Sequence, residues 1–324
     1  MTHKTDLKTH SVEAFLNTLI DYAGLFPPAK LPLDQAIRNY ASYVNGEDAW
    51  IVGPFVIPAA SLDQLDEHIS LFTEERPLLL SVLGRKGEDE ATSVLYMEDD
   101  FQKVEELRER YGKVVQVDFF EVAMPSLNPG KPYLEKVQKM MAEHRLTCYA
   151  ELPIQGNDPT WSDSLSDVLS KVSSINKGYS QPLGAKLRSG GITAELIPSI
   201  EIVASFIHGC KEHKVPCKFT AGLHHPIRMY REEVGTKMHG FVNVFAAGLL
   251  AYVHNLEKPR IMEILRDQAP SSFSFQPEKL VWNELEVSVH DMKELRERYL
   301  CSYGSCSFDE PRDELRALDI IERG

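Results

Sequence analysis

The sequence predicts an α/β protein, a (β/α)8 TIM-type barrel with an N-terminal helical extension. Apolar runs of strand length alternate with amphipathic runs of helix length along almost the whole chain, the rhythm of β/α units around a parallel sheet. Eight strand runs can be found, and no long linker, repeat or low-complexity tract separates them, so residues 1–324 read as one barrel domain. A length of 324 residues suits a single closed barrel. An open doubly wound sheet shares the rhythm and stands as the alternative, its dinucleotide-binding version weakened by the absence of Gly-x-Gly-x-x-Gly after the first strand run.

The extension spans residues 1–48. Two helices are expected there, "SVEAFLNTLIDYA" and "LPLDQAIRNYASYV", joined by the apolar turn "GLFPPAK". Such additions plug the bottom of a barrel or build an oligomer contact, and the latter would make the chain a homo-oligomer. The strand runs follow in order: "AWIVGPFVI" from Ala49, "PLLLSVL" from Pro77, "KVVQVDFFEV" from Lys113, "LTCYAEL" from Leu146, "LGAKLRS" from Leu183, "PCKFTAG" from Pro216, a short "SFSFQ" from Ser272, and "YLCSYGSCSF" from Tyr299. Helical spacing of three and four residues intervenes, as in Leu62, Leu65, Ile69 and Leu71 to Phe72, or Ile197, Ile200, Val203, Ala204 and Ile207. Between Gly235 and Pro270 two successive helices are expected.

Charge narrows the partners. With 35 basic and 48 acidic residues the net charge is −13, which repels phosphate backbones and anionic membrane surfaces. Neither nucleic acid nor membrane is an expected partner. "MTHKTDLKTH" lacks an apolar leader core, and the greasiest run, "FVNVFAAGLLAYV", is too short to span a bilayer, so a cytoplasmic, soluble protein is expected. Five cysteines with no Cys-x-x-Cys pair argue against a disulfide framework or a zinc ribbon. Cys148, Cys210 and Cys217 read as small buried apolar residues.

In a β/α barrel, chemistry sits at the C-terminal ends of the strands. Side chains alternate across a strand, so Lys186 and Arg188 share one face, Lys218 and Thr220 share another, and Ala185, Leu187, Cys217 and Phe219 face the helices. Two inward lysines are costly unless anions meet them, and Glu121 and Glu151 end neighbouring strands. A lysine desolvated beside another cation can act as an amine nucleophile and form a Schiff base with a carbonyl substrate. Ser189, Gly190 and Gly191 form a turn running towards a helix, where backbone N–H groups and Arg188 can hold an anion.

"GLHHPIR" adds His224, His225 and Arg228. Consecutive histidines on extended chain point opposite ways, so one of them is expected in the pocket, for proton transfer, loop anchoring or metal binding with Glu121 and Glu151. His239 and Asn243, four apart, either extend the pocket or satisfy a helix end. At the last strand, Cys306 is a nucleophile only if its pKa is lowered, and otherwise a packing residue, while Ser305 and Ser307 can donate to an anion.

"CKFTAG" and "GAKLRSGG" resemble the lysine-bearing strands of deoxyribose-phosphate-type class I aldolases. Across nearly the whole chain, the blocks "DYAGLFPPAKL", "KLRSGG", "KFTAGLHHPIR", "HGFVNVFAAGLLA" and "YGSCSFDEP" resemble a family of uncharacterised bacterial proteins, in which the second block often reads K-L-R-T-G-G. That second resemblance implies no particular reaction; Ser189 in place of threonine keeps the hydroxyl.

Three readings follow. One is an enzyme acting on a small anionic carbonyl or sugar-acid-like substrate, a lysine-dependent aldolase or lyase needing no cofactor, with Lys218 as nucleophile, Lys186 as its pKa-lowering neighbour, Arg188 and "SGG" as anion clamp, and Glu151 or a histidine as proton carrier. Another is a metal-dependent hydrolase or lyase, in which a divalent ion on His224 or His225 with Glu121 and Glu151 activates water. The last is a non-catalytic barrel that binds a small molecule.

Overall fold

Thirteen strands are present in the computed structural model, which describes residues 9–153 and 161–322. They are β1 Ile20–Tyr22, β2 Val52–Pro58, β3 Leu78–Leu83, β4 Val115–Ala123, β5 Thr147–Glu151, β6 Gly184–Arg188, β7 Cys217–Thr220, β8 Met229–Arg231, β9 Thr236–Met238, β10 Phe273–Gln276, β11 Lys279–Trp282, β12 Leu285–Ser288 and β13 Leu300–Ser305. Eight of these close into a barrel in the order β1, β13, β7, β6, β5, β4, β3, β2, with helices in the connections. The closing strand is β1, where Ile20 pairs in parallel with Tyr303 on one side and Val52 on the other. The chain is therefore a (β/α)8 barrel, and the open-sheet alternative is excluded.

Two expectations are corrected here. "SVEAFLNTLIDYA" is not one helix: the helix Thr9–Leu16 ends, and "IDY" becomes the first barrel strand. Val12, Phe15, Leu16, Leu19 and Ile20 are all buried at helical spacing, which disguises the strand. The break is made at Thr18, whose φ of +47° is left-handed and whose N–H donates to the Trp50 carbonyl instead of continuing the helix. The helix Leu33–Val44 is consequently the crossover from β1 to β2 rather than part of an extension before the barrel.

"SFSFQ" is not a barrel strand either. It forms β10 of an antiparallel sheet with β11 and β12. Phe273 and Phe275 are buried while Ser274 and Gln276 are half-exposed, and such one-sided alternation belongs to a sheet with one covered face. Barrel strands such as Val52–Pro58 are instead apolar and buried on both faces.

Phe219 shows how the packing orients the site. Its ring meets Phe206 of the helix Ile200–His213 at 5.5 Å and Phe245 of the helix Phe241–His254 at 5.7 Å. Burying a ring of this size stabilises by about 1.5–3 kcal/mol, which holds that face of β7 against the helices. Strand alternation then turns Lys218 into the barrel. Ala185 and Leu187 do the same for Lys186, with which Lys218 is in direct register.

At the opposite end Arg296 is buried and donates to the carbonyls of Phe15, Asn17, Leu300 and Cys301, tying the helix Thr9–Leu16 to the start of β13. No described helix is long and apolar enough to cross a membrane.

Candidate functional site

Asp21, Lys218, Glu121, Lys186 and Glu151 form a row of alternating charges, one from each of β1, β7, β4, β6 and β5, five of the eight barrel strands. Lys218 Nζ stands 2.5 Å from both Asp21 Oδ2 and Glu121 Oε1. Lys186 Nζ lies 2.5 Å from Glu121 Oε2 and 2.7 Å from Glu151 Oε2. Arg188 Nε extends the row to the rim, 3.5 Å from Glu151 Oε1. Three carboxylates thus face three cations, and the row is formally neutral.

Neutral hydroxyls complete it. Ser81 donates to Glu121 Oε1 at 2.7 Å and Ser302 to Asp21 Oδ2 at 2.9 Å. Asp21 Oδ1 is buried with no hydrogen-bond partner among the described residues and lies over Gly53, where a Cβ would come within 2.2 Å of it. Glycine is needed at position 53 because any side chain would displace this carboxylate.

Burial disfavours the Lys218 ammonium, but Asp21 and Glu121 outweigh it and hold its pKa above the usual lysine value. Burial likewise opposes the Glu121 carboxylate, and the two lysines overcome this and drive its pKa well below the carboxylate range. Glu151 follows the same pattern: burial raises its pKa, while Lys186 and Arg188 lower it by more. Lys218 and Glu121 are therefore a fixed ion pair at neutral pH.

Above the row lies a cleft of about 310 Å³, lined among others by Lys86, Glu151, Arg188, Glu195, Pro198 and Ser199. Glu151 separates Lys186 from this cleft. Ser199 accepts from Ile202 N–H at 3.2 Å as the N-cap of the helix Ile200–His213, so a helix start borders the cleft beside the half-exposed Arg188.

Other expected site residues go elsewhere. The "SGG" turn does not lead directly into a helix, because a short 3-10 turn at Ala194–Leu196 precedes Ile200. Gly190 serves close packing: a Cβ there would stand 2.6 Å from Gly222 Cα in the loop after β7. Ser189 N–H donates to the Thr220 carbonyl at 2.7 Å, and its hydroxyl is buried without a partner among the described residues. Gly191 packs on Leu196.

His224 and His225 both turn towards the last helix, Asp309–Ala317, rather than one entering the lysine row. His225 Nδ1 is 2.7 Å from Glu314 Oε1, and His224 Nδ1 is 3.5 Å from Glu310 Oε2. The expected ligand set of these histidines with Glu121 and Glu151 is not brought together, since both carboxylates are engaged by lysines. Among the described residues the group with metal-ligand spacing is His225, Glu310 and Glu314.

His239 and Asn243 brace loops instead of extending a pocket. Asn243 accepts from Arg228 N–H at 2.8 Å and donates to the carbonyls of Ile264 and Asp267. His239 Nδ1 accepts from the Arg228 guanidinium at 3.3 Å, and its Nε2–H donates to the Pro198 carbonyl at 2.8 Å. Ser305 donates to the Ser307 carbonyl at 2.6 Å, which occupies its hydroxyl. Burial pushes the Cys306 thiol pKa up, so it lacks the thiolate character a nucleophile needs. Cys148, Cys210 and Cys217 are buried free thiols.

Sequence reasoning missed Asp21, Ser81, Ser302 and Lys86. Asp21 opens the block "DYAGLFPPAKL", but a strand of three residues is too short to display alternation. Nothing in the sequence marked the two serines.

Burial pushes the His239 pKa down to about 4, from an unfolded value near 6.5. A histidine kept neutral by folding contributes its full stability above pH 6.5 and loses it as the pH falls through 4. Urea unfolding at pH 7 and pH 4 is expected to show His239→Gln losing roughly 3 kcal/mol less than the parent chain over that interval. Parallel profiles would mean that His239 is solvated.

Comparison with known proteins finds no matching family model and no matching curated protein sequence. In structure, the chain is similar to deoxyribose phosphate aldolase from Aeropyrum pernix, with a TM-score of 0.45 and 12% identity over 69% of this chain and 87% of the aldolase. It is also similar to the carboxyl transferase domain of Rhizobium etli pyruvate carboxylase, at a TM-score of 0.43 and 12% identity, covering 77% of this chain and 40% of that one. The catalytic domain of the hyperthermophilic chitinase from Pyrococcus furiosus gives 0.41 and 14%, covering 83% and 94%. These likenesses are of barrel architecture.

Proposed function

We propose that the chain is an enzyme acting on a small anionic carbonyl compound through a Schiff base, an aldolase-type lyase with Lys186 as the amine nucleophile. The observation that carries this is the row of five charges inside the barrel, four of them buried. Barrel interiors are ordinarily filled by branched apolar side chains, and a buried ion-pair row adds no stability over such a filling. A row of this kind has its explanation in chemistry rather than in folding.

The roles of the two lysines are exchanged relative to the sequence reading. Lys218 is enclosed between Asp21 and Glu121 and stays cationic, so it supplies charge rather than an electron pair. Lys186 is one side chain from the cleft, and its proton can pass to Glu151 Oε2 at 2.7 Å. An anionic substrate that engages Arg188 removes one cation from Glu151 and so makes Glu151 a better base. Imine formation then joins Lys186 Nζ to the carbonyl carbon and releases the carbonyl oxygen as water, Glu151 carrying the protons. Arg188 and Lys86 at the cleft recognise the anionic group.

Sodium borohydride in the presence of 2-oxo acids and phosphorylated aldehydes tests this reading. The hydride reduces the imine to a stable amine, and peptide mapping is expected to place the added mass on Lys186. A chain that stays unmodified across the panel while turning over any member of it refutes the Schiff base.

A further inference from the structure

A second constellation lies outside the lysine row. The loop after β7 and the final helix Asp309–Ala317 bring His225, Glu310 and Glu314 together so that one ligand atom from each lies within 4.8 Å of the others. His225 is almost wholly buried, and the two carboxylates are about one-third exposed. Glu310 and Glu314 stand four apart on one helix, a like-charge spacing that destabilises an isolated helix.

Few charges relieve that repulsion. Among the described residues, the ion-pair partners of the two carboxylates are His224, His225 and Arg231. Arg231 reaches Glu310 only at 4.0 Å, while its Nε is held by Glu233 at 2.6 Å. The helix thus directs two carboxylates at two imidazoles and at one arginine that is shared with Glu233.

An independent feature points to the same place. Tyr303 on β13 is completely buried, and its hydroxyl has no hydrogen-bond partner among the described residues. The charged groups that bear on this phenol are Glu310 and Glu314. Its ring is fixed by stacking on Phe241 at 5.3 Å, and Phe241 N–H in turn donates to the His225 carbonyl at 2.9 Å. A buried hydroxyl without a partner costs about 1–3 kcal/mol, a cost that a bound water beside the carboxylates would remove.

We propose that His225, Glu310 and Glu314 bind a divalent transition-metal ion of the zinc class, with the Tyr303 hydroxyl hydrogen-bonded to a water on that ion. One imidazole nitrogen and two carboxylate oxygens suit a borderline cation such as Zn2+, and the two negative charges balance it. Ligand atoms about 2.1 Å from a tetrahedral ion stand about 3.4 Å apart, so the set closes through small side-chain movements. Three protein ligands leave a coordination position for water, and the partial exposure of both glutamates opens the site to solvent. This site shares no ligand with the lysine row and does not depend on the Schiff-base reading.

The test is titration of the chelator-treated full-length protein with Zn2+ by calorimetry and with Co2+ by visible absorption. One ion per chain is expected, with His225→Ala and Glu314→Gln each weakening binding at least about 100-fold, and Tyr303→Phe weakening it about tenfold at unchanged stoichiometry. Glu310→Gln changes a partly exposed helix position and keeps the experiment decisive if His225→Ala does not fold. The proposal is overturned if no ion binds, or if Zn2+ affinity is the same in Glu310→Gln and Glu314→Gln as in the parent chain. Unchanged affinity in Tyr303→Phe would remove the metal-bound water.

Discussion

Lys186→Arg is expected to leave the barrel folded and to abolish borohydride trapping, with turnover lowered on the order of 10^3-fold or more. Arginine keeps the positive charge that Glu121 and Glu151 face, so the row stays neutral. It cannot form the imine, because the guanidinium remains protonated. A thermal melt of the variant separates lost chemistry from lost fold, and Lys186→Gln repeats the test with a smaller side chain.

Where the adduct forms distinguishes the readings. An adduct on Lys218 would restore that residue as the nucleophile and contradict its enclosure between Asp21 and Glu121. Thermal stabilisation by carboxylates or phosphates, with neither adduct nor turnover, would make the chain a binding barrel. A parent-level trapping yield in Lys186→Arg would sink the assignment outright.

The second large effect concerns stability. Lys218→Met leaves Asp21 and half of Glu121 without their cation inside the barrel, and breaking a buried pair in this way costs about 3–5 kcal/mol. Chemical denaturation at pH 7 measures it. Adding Asp21→Asn is expected to recover part of the loss, since the two residues meet at 2.5 Å and their effects are not additive.

The pH dependence of the gap follows from Glu121. Its folded pKa lies below the unfolded value, so the stability it draws from Lys186 and Lys218 is present above about pH 4.5 and lost as the pH falls below it. The difference between parent and Lys218→Met should therefore narrow in acid. Equal losses in the single and double variants would show that Asp21 does not act through Lys218.

Most of the barrel was legible because its strands are apolar on both faces and separated by helices with a clear three- and four-residue period. The two misplaced segments failed for opposite reasons. "IDY" was masked by Leu16, Leu19 and Ile20, which continue a helical spacing past the real helix end at Leu16. "SFSFQ" was a true strand, but its alternating Phe residues signalled a sheet with one wet face.

Within the site, alternation alone put Lys186 and Lys218 on inward faces and offered Glu121 and Glu151 as their acids. The histidines were read as pocket residues because residue type suggests chemistry, whereas their partners lie 85 or more positions later in the chain. His239 and Asn243 proved to be braces because backbone carbonyls at Pro198 and Ile264, both buried, and at the part-buried Asp267 required donors.

The alternation of strands with helices, the facing of strand residues and the presence of two inward lysines were determined by the sequence itself, since period and polarity are local properties of the chain. Which carboxylate meets which lysine was decided only by closure of the barrel. Asp21 reaches Lys218 because β13 alone lies between β1 and β7 and Ser302 and Gly53 leave it room. The charges of Lys218 and Glu121 are set by that meeting and by burial, which no local pattern encodes.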